Sequence, residues 1–293
     1  MTASEAAGLA LPTPVVRAMD VDAYLRRIGY AGSTSATVET LAGIAYHHAL
    51  AIPFENLAVI VSGAPPLELP ALEAKLVRAR RGGYCYEQNG LLSAALASIG
   101  FDVMPLAARV RYGVPASTET PRSHMTLRVD VQGRRMLVDA GFGGLTLTAP
   151  VCIDDDGVQQ TPHEPVRIVR VGDDHVLRAD VRGAWADVYR FDFSRQLPVD
   201  FAQQNWHTAT RPGALFAHNL VVARPTPRGR HTLFNRTLTS RSRDGERVQR
   251  TVETARALRD VLRDVFDLEL DAREIDAAWD VSGRGQPPGA LFA

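Results

Sequence analysis

The segment RRGGYCYEQNG, residues 80–90, places Cys85 just after two glycines and one aromatic residue. Arg81-Gly82-Gly83 breaks the helical pattern before it, and Cys85 opens the next helical run. Unpaired N–H groups and the dipole at a helix start stabilise negative charge, which favours thiolate over thiol. The glycines let the backbone turn sharply and let a substrate come close. The same residue also reads as a small buried side chain, because free cysteines are often packed and inert. A reactive thiol here needs a base.

His124 is the candidate, and hairpin geometry supplies its partner. HMTLRVDV and RRMLVDA, residues 124–131 and 134–140, flank Gln132-Gly133. A two-residue turn sets Val131 opposite Arg134 and Thr126 opposite Asp139. Asp139 then lies one diagonal step from His124 on the same face, roughly 7–8 Å away and within side-chain reach. The pattern supports a histidine oriented by a carboxylate but does not by itself bring in the cysteine. Singly, His124 also reads as a polar strand residue facing solvent, and Asp139 as a cap for the GFGG turn that follows.

The remaining candidates are weaker. His47 and His48 sit in a helical run and read as packed or solvated. His163, His175, His207, His218 and His231 lack a comparable partner pattern. Glu87 and Arg81 read as a buried charged pair near the helix start, and Cys152 as packing. Two cysteines are too few for a disulfide framework, no close Cys/His cluster suggests a metal, and no metal is expected.

Composition narrows the class further. The 293 residues are 45% hydrophobic and 23% charged, with 33 basic and 33 acidic side chains. This is an ordinary globular balance, long enough for two or three compact units. Zero net charge argues against a general nucleic-acid partner, which needs a basic surface. Lys75 is the only lysine. The Ala/Leu-rich start lacks the basic segment of a secretory signal, and no stretch reaches the roughly 20 apolar residues of a membrane span. A cytoplasmic protein with reduced thiols and no membrane partner is the expectation.

The elements that must position these residues change character twice. Asp20 can cap a helix through Tyr24, Leu25 and Ile28, and Val38, Leu41, Ile44, Ala45 and His48 share a helical face. Pro70 suits the first turn of a helix over ALEAKLVRA. Leu91, Leu92, Ala95, Leu96 and Ile99 form the apolar side of the Cys85 helix, which Gly100 closes. From residue 102 the period becomes two, and short strands with tight turns predict an antiparallel sheet or small barrel. LPVDFAQQNWHTA reads as helix, followed by strands around ALFAHNLVVARP and HTLFNRTLTS. Asp244-Gly245 marks a hairpin turn, and Thr251 is expected to start a helix reaching Phe266.

Together, RRGGYCYEQNG, SHMTLRVDV and MLVDAGFGGLTLTAP resemble the arylamine N-acetyltransferase family in its bacterial form. The family's Arg-Gly-Gly-x-Cys-x-Glu-x-Asn segment is met by Arg81, Gly82, Gly83, Cys85, Glu87 and Asn89. Its strand-opening histidine and its aspartate before a Gly-Phe-Gly turn are met by His124 and by Asp139 to Gly143. IPFENLAV, residues 52–59, is similar to another family segment. The likeness runs from Tyr24 into the last third and fades after Asn205, and the N-terminal arm is longer than usual.

The resemblance implies an α+β fold: an N-terminal helical bundle over residues 1–100 carrying the nucleophile, a central antiparallel β-barrel over 101–200 carrying His and Asp, and a C-terminal α/β lid over 201–293. It implies a Cys85-His124-Asp139 triad and ping-pong transfer of an acetyl group from acetyl-CoA to an arylamine or hydrazine. Gly141, Phe142, Gly143, Gly144 and Thr146 are expected against the acetyl-CoA co-substrate. Phe54, Tyr86 and Phe142 are expected around the acceptor, where aryl rings gain most from desolvated aromatic contact. Simple core packing is an equal reading for Phe54. Rival readings are an amide synthase taking an acyl chain from a carrier protein, a Cys-His-Asp hydrolase, and a non-catalytic binding module. Oligomeric state is not legible.

Overall fold

The computed structural model describes residues 19–285, so the N-terminal arm and the last eight residues lie outside the described residues. The first part is helical. α1 (Val21–Ile28) is capped by Asp20, whose carboxylate accepts from the Ala23 amide at 2.9 Å. α2 (Val38–Ala51) starts at Thr37 and buries Leu41, Ile44, Ala45 and His48. A two-residue strand, β1 (Phe54–Glu55), leads into α3 (Leu57–Ser62). Pro70 does lie in the first turn of α4 (Leu69–Leu72), but the chain continues as a wider π-helical turn, Glu73–Arg78. α5 (Cys85–Ile99) follows, closed by Gly100 in the left-handed conformation.

Seven strands then form one antiparallel sheet: β2 (Asp102–Val110), β3 (Arg122–Val131), β4 (Arg134–Val138), β5 (Val151–Cys152), β6 (Val166–Val171), β7 (Asp174–Val181) and β8 (Ala184–Phe191). Their order is β5-β4-β3-β2-β8-β7-β6, and the sheet curls until it is nearly a closed barrel. Gln159 bridges the remaining gap. Its side chain exchanges two hydrogen bonds with the Cys152 backbone, at 2.7 and 2.8 Å, while its own backbone exchanges two with Val166. The β3–β4 register has Val131 opposite Arg134 and Leu127 opposite Val138, as the two-residue turn requires.

The last part differs in detail from the sequence expectation. α6 (Pro198–Thr210) covers LPVDFAQQNWHTA as expected. ALFAHNLVVARP is not one strand: its first half is a short helix, α7 (Leu215–His218), before β9 (Val221–Thr226). HTLFNRTLTS contains two strands, β10 (Gly229–Phe234) and β11 (Thr237–Ser242), because Asn235 takes a positive φ of 53° and turns the chain. β12 (Arg247–Thr251) pairs with β11 across the Asp244-Gly245 turn. Thr251 therefore ends a strand, and α8 (Ala255–Asp264) is capped instead by the hydroxyl of Thr254. α9 (Ala272–Arg284) was legible from its Asp271–Glu274 capping box but was not expected.

Strands β1-β9-β10-β11-β12 make a second antiparallel sheet. Its edge strand comes from the helical part, which ties Phe54 and the approach to α5 to the last third of the chain. One core joins α1, α2 and α5 to the adjoining faces of β3 and β4; a second fills the barrel; a third lies between β9–β11 and the pair α8 and α9. Among the described residues no helix is long and apolar enough to cross a membrane.

Candidate active site

The turn before α5 is held from beneath. Gly82 packs so closely that a Cβ there would lie 2.2 Å from the Pro53 carbonyl oxygen, so no side chain fits. The Tyr84 amide donates to Glu87 Oε2 at 3.1 Å, and Gln88 donates to the carbonyls of Ile52, Pro53 and Gly83. The Tyr24 hydroxyl donates to His48 Nδ1 (2.8 Å), and His48 Nε2 donates to Gln88 Oε1 (2.8 Å). Cys85 thus starts α5 from an anchored loop, and it is 3% exposed.

Glu87 and Arg81 do not form the expected pair. Glu87 bonds to Lys75 at 2.8 Å, whereas Arg81 reaches Glu274 of α9 at 2.6 Å and Glu55 at 3.9 Å. Glu274 is distant in sequence, so local reading could not find it. Burial raises the Glu87 carboxyl above its ordinary range, against the nearby Lys75 charge.

His124 Nε2 lies 2.6 Å from Asp139 Oδ2, so the hairpin delivers the pair. Asp139 sits just past β4, and its other oxygen accepts from Asn89 Nδ2 at 2.9 Å and from the Gly141 amide at 2.8 Å. It therefore caps the glycine turn and orients the histidine at once. Asn89, one helical turn after Cys85, also donates to the Met125 carbonyl and accepts from the Ala140 amide. It stitches α5 to β3 and to the end of β4, a role that sequence reading missed although the residue stood in the quoted motif.

Cys85 meets the pair from the other side. Its Sγ is 3.9 Å from the Ser123 carbonyl oxygen, and its side chain lies near enough to His124 to raise the imidazole pKa. Burial disfavours the charged imidazole, but the charge and hydrogen bond of Asp139, with Cys85 adding to their effect, raise the His124 pKa to about 10. The loop after Asp139 is pressed onto the start of α5. A Cβ on Gly141 would lie 2.7 Å from Cys85 Cα and 2.8 Å from Asn89 Nδ2.

These side chains open on a cavity of about 230 Å³. Phe54, Phe142 and Phe216 are among its walls, with Tyr112, Val114 and Pro121 from the β2–β3 loop. Phe142 stands edge-on to the His124 ring at 5.2 Å, and Tyr189 of β8 covers that ring at 5.0 Å. Burial first, and then the nearby Asp139 charge, raise the Tyr189 phenol well above its ordinary range, so it stays neutral. Nothing in the sequence near the motifs points to Tyr189 or Phe216.

The other expected contacts divide. Gly141, Phe142 and Gly144 line the cavity, as does Phe54. Tyr86 does not: it is 1% exposed, packs on Tyr84 and Phe201, and its hydroxyl meets Thr208 Oγ1 at 3.3 Å. The second position of a helix points away from the first, so Tyr86 enters the core. Thr146 is spent inside its own loop, where its hydroxyl accepts from the Gly143 amide at 2.9 Å. Gly143, at φ 83°, makes that turn rather than a cavity wall.

Known proteins carry the same arrangement of chain. The family described as N-acetyltransferase matches residues 37–275. An arylamine N-acetyltransferase of Mycolicibacterium smegmatis is 41% identical over 86% of this chain and 93% of its own. One of Escherichia coli strain K12 is 37% identical over 85% and 88%. A solved structure of an arylamine N-acetyltransferase of M. smegmatis matches with a TM-score of 0.86 at 39% identity, over 91% of this chain and 98% of that one. A Mycobacterium marinum arylamine N-acetyltransferase solved in complex with CoA matches with a TM-score of 0.86 at 35% identity, over 91% and 100%. With these likenesses along nearly its whole described length, the chain belongs to the arylamine N-acetyltransferase family of enzymes.

Proposed function

We propose that this enzyme transfers an acetyl group from acetyl-CoA to an arylamine or hydrazine in two steps, through an acetyl group carried on Cys85. The observation that supports this most directly is the 2.6 Å contact between His124 and the fully bonded Asp139, with Cys85 against the same imidazole in an apolar cavity. The M. marinum relative bound to CoA supports the donor.

In the first step His124 takes the Cys85 proton, leaving a thiolate–imidazolium pair whose charge Asp139 balances. The thiolate attacks the thioester carbonyl, the tetrahedral intermediate expels CoA as thiolate, and the imidazolium proton goes to that leaving group. In the second step the amine attacks the acetyl-Cys85 carbonyl, His124 takes the amine proton, and Cys85 leaves as thiolate. The N–H groups of Cys85 and Tyr86, at the first turn of α5, lack intrahelical acceptors and are the donors for the oxyanion. Gly141, Phe142 and Gly144 border the donor, and Phe54 and Phe142 border the acceptor ring.

The test is intact-mass measurement after brief exposure to acetyl-CoA without amine, beside a Cys85→Ala variant. A gain of about 42 Da on the unsubstituted enzyme alone, discharged by an added arylamine or hydrazide, is the expected result. No adduct and no release of CoA would overturn the proposal.

A further inference from the structure

The loop that follows Asp139 is held from behind by the second sheet. Arg230 of β10 is 6% exposed, and its Nη2 donates to the Thr146 carbonyl at 3.0 Å. The same edge of the guanidinium meets Glu164, whose oxygens accept from Nε at 2.9 and 3.0 Å and from Nη2 at 2.5 Å. Burial raises the Glu164 carboxyl, but the Arg230 charge outweighs it and holds the group below its ordinary range, so the pair stays charged. Thr146 passes the hold along its loop. Its hydroxyl accepts from the Gly143 amide at 2.9 Å, its own amide donates to the Gly143 carbonyl at 3.2 Å, and the Leu147 amide donates to the Asp139 carbonyl at 3.1 Å. The segment so fixed contains Gly141, pressed on Cys85 Cα, and Gly144, which lines the cavity.

Arg230 is itself clasped to the barrel. The residue beside Glu164, His163, donates from Nε2 to the carbonyls of Thr226 (2.9 Å) and Gly229 (3.1 Å), on either side of the turn into β10. Its Nδ1 accepts from the Thr148 hydroxyl at 2.9 Å, two residues past Thr146. Burial first, and then the Arg230 charge, lower the His163 pKa, so the ring stays neutral with its proton on Nε2. Arg230 is not among the residues that line the Cys85 cavity, so any effect it has there passes through the loop. A planar fork can bond a carboxylate and a carbonyl at once, which a single ammonium cannot do in the same geometry.

We propose that Arg230, oriented by Glu164, is a positioning residue for the first half of the reaction: through the Thr146 carbonyl it sets the loop over residues 141–146 against Cys85 for the incoming thioester. This rests on the reading of Gly141, Phe142 and Gly144 as the border of the donor. The amine meets an acetyl group already carried on Cys85, so its step depends less on that border. In a ping-pong reaction the two halves are read separately, kcat/KM for acetyl-CoA reporting acetylation of Cys85 and kcat/KM for the amine its discharge.

The experiment measures both ratios, with acetyl-CoA and 4-methoxyaniline, for the full chain and its Arg230→Gln, Arg230→Lys, Glu164→Gln and doubly substituted Arg230→Gln/Glu164→Gln variants. Acetylpantetheine, which lacks the phosphates of CoA, serves as a second donor, and alkylation of Cys85 by iodoacetamide reports the thiol and His124. In Arg230→Gln, kcat/KM for acetyl-CoA is expected to fall about tenfold, the loss of one hydrogen bond from a charged group that places a reacting segment. The ratio for the amine and the alkylation rate change less than twofold, acetylpantetheine shows the same tenfold loss, and Arg230→Lys recovers part of it. Glu164→Gln also weakens the acetyl-CoA step, and the double variant is no worse than Arg230→Gln alone, because Glu164 acts through Arg230. Where Arg230→Gln does not fold, the double variant, which strands no charge, reads the same bond. No loss, an equal loss in both halves, or slowed alkylation overturns the proposal, the last two in favour of a general structural role. A loss with acetyl-CoA but not with acetylpantetheine overturns it in favour of direct phosphate contact, and additive losses in the double variant overturn the part given to Glu164. Failure of the unsubstituted enzyme to form acetyl-Cys85 overturns the two-step reading and this inference with it; every other contrary result overturns this inference alone.

Discussion

The side-chain amide of Asn89 stands 2.9 Å from Asp139 Oδ1, on the helix that Cys85 begins. One residue thus fixes the distance between the thiol's helix and the carboxylate that orients His124. Asn89 is fully buried and spends its side chain on three partners: Met125, Asp139 and Ala140.

Asn89→Ala leaves Met125 and Ala140 backbone groups and one Asp139 oxygen short of a partner. A stability loss of about 1–3 kcal/mol is expected for buried groups left unsatisfied. On the proposed mechanism, loss of a residue that orients a reacting group costs about 10–100-fold in activity. Thermal melting and the rate of acetyl transfer check the two effects separately. An unchanged rate in a destabilised variant would make Asn89 purely structural.

Asp139→Asn removes the charge that holds the His124 proton. With it gone, burial dominates and the imidazole pKa falls from about 10 to below its ordinary value. In the unsubstituted enzyme, Cys85 alkylation should hold a plateau through neutral pH and change as His124 titrates near 10; in Asp139→Asn the plateau is lost. The sign for stability follows. A raised histidine pKa contributes stability that is complete below the ordinary value and is lost as pH climbs through about 10. Imidazole titration followed by NMR measures this directly, and a midpoint near 6.5 in the unsubstituted enzyme contradicts it.

His48 behaves oppositely. Burial lowers its pKa to about 4, while its bond to Gln88 opposes the shift and the Arg27 charge adds to it. The folded protein therefore keeps His48 neutral where the unfolded chain binds a proton. Stability should fall as pH drops from 6.5 to 4, by at most about 1.4 kcal/mol per pH unit from this one group. Melting curves of His48→Gln beside the unsubstituted protein, at pH 7 and 4.5, should show a shallower acid loss in the variant.

Lys75→Met, which removes the only lysine, leaves Glu87 and Glu55 near each other with Arg81 3.9 Å from Glu55 as the remaining cation. Breaking a buried pair by deleting one partner costs about 3–5 kcal/mol. Adding Glu87→Gln should restore part of the loss, because it removes one of the stranded charges. Denaturant midpoints for the single and double variants decide this; additive losses would show that the charges do not interact.

What the sequence determined by itself was local. The start of α5 at Cys85, its end at Gly100 and the β3–β4 register all follow from signals within a few residues, because caps, turns and alternation act over short separations. His124 and Asp139 meet for that reason, being two strands of one hairpin. Where a signal was ambiguous, the nearest candidate was the wrong one: Thr251 and Thr254 can both cap a helix, and only the pairing of β12 with β11 claims Thr251 for a strand.

Tertiary structure decided the rest. Arg81 finds Glu274 rather than Glu87, Tyr86 turns into the core rather than the cavity, and Tyr189 and Phe216 arrive from strands and helices far along the chain. No short-range rule reaches these contacts, because a cavity is the space left between packed elements and its walls belong to whichever side chains those elements turn inward. The thiol's helix start was written in a few residues; the space around the thiol required the barrel, the second sheet and α6 and α7 to close around it.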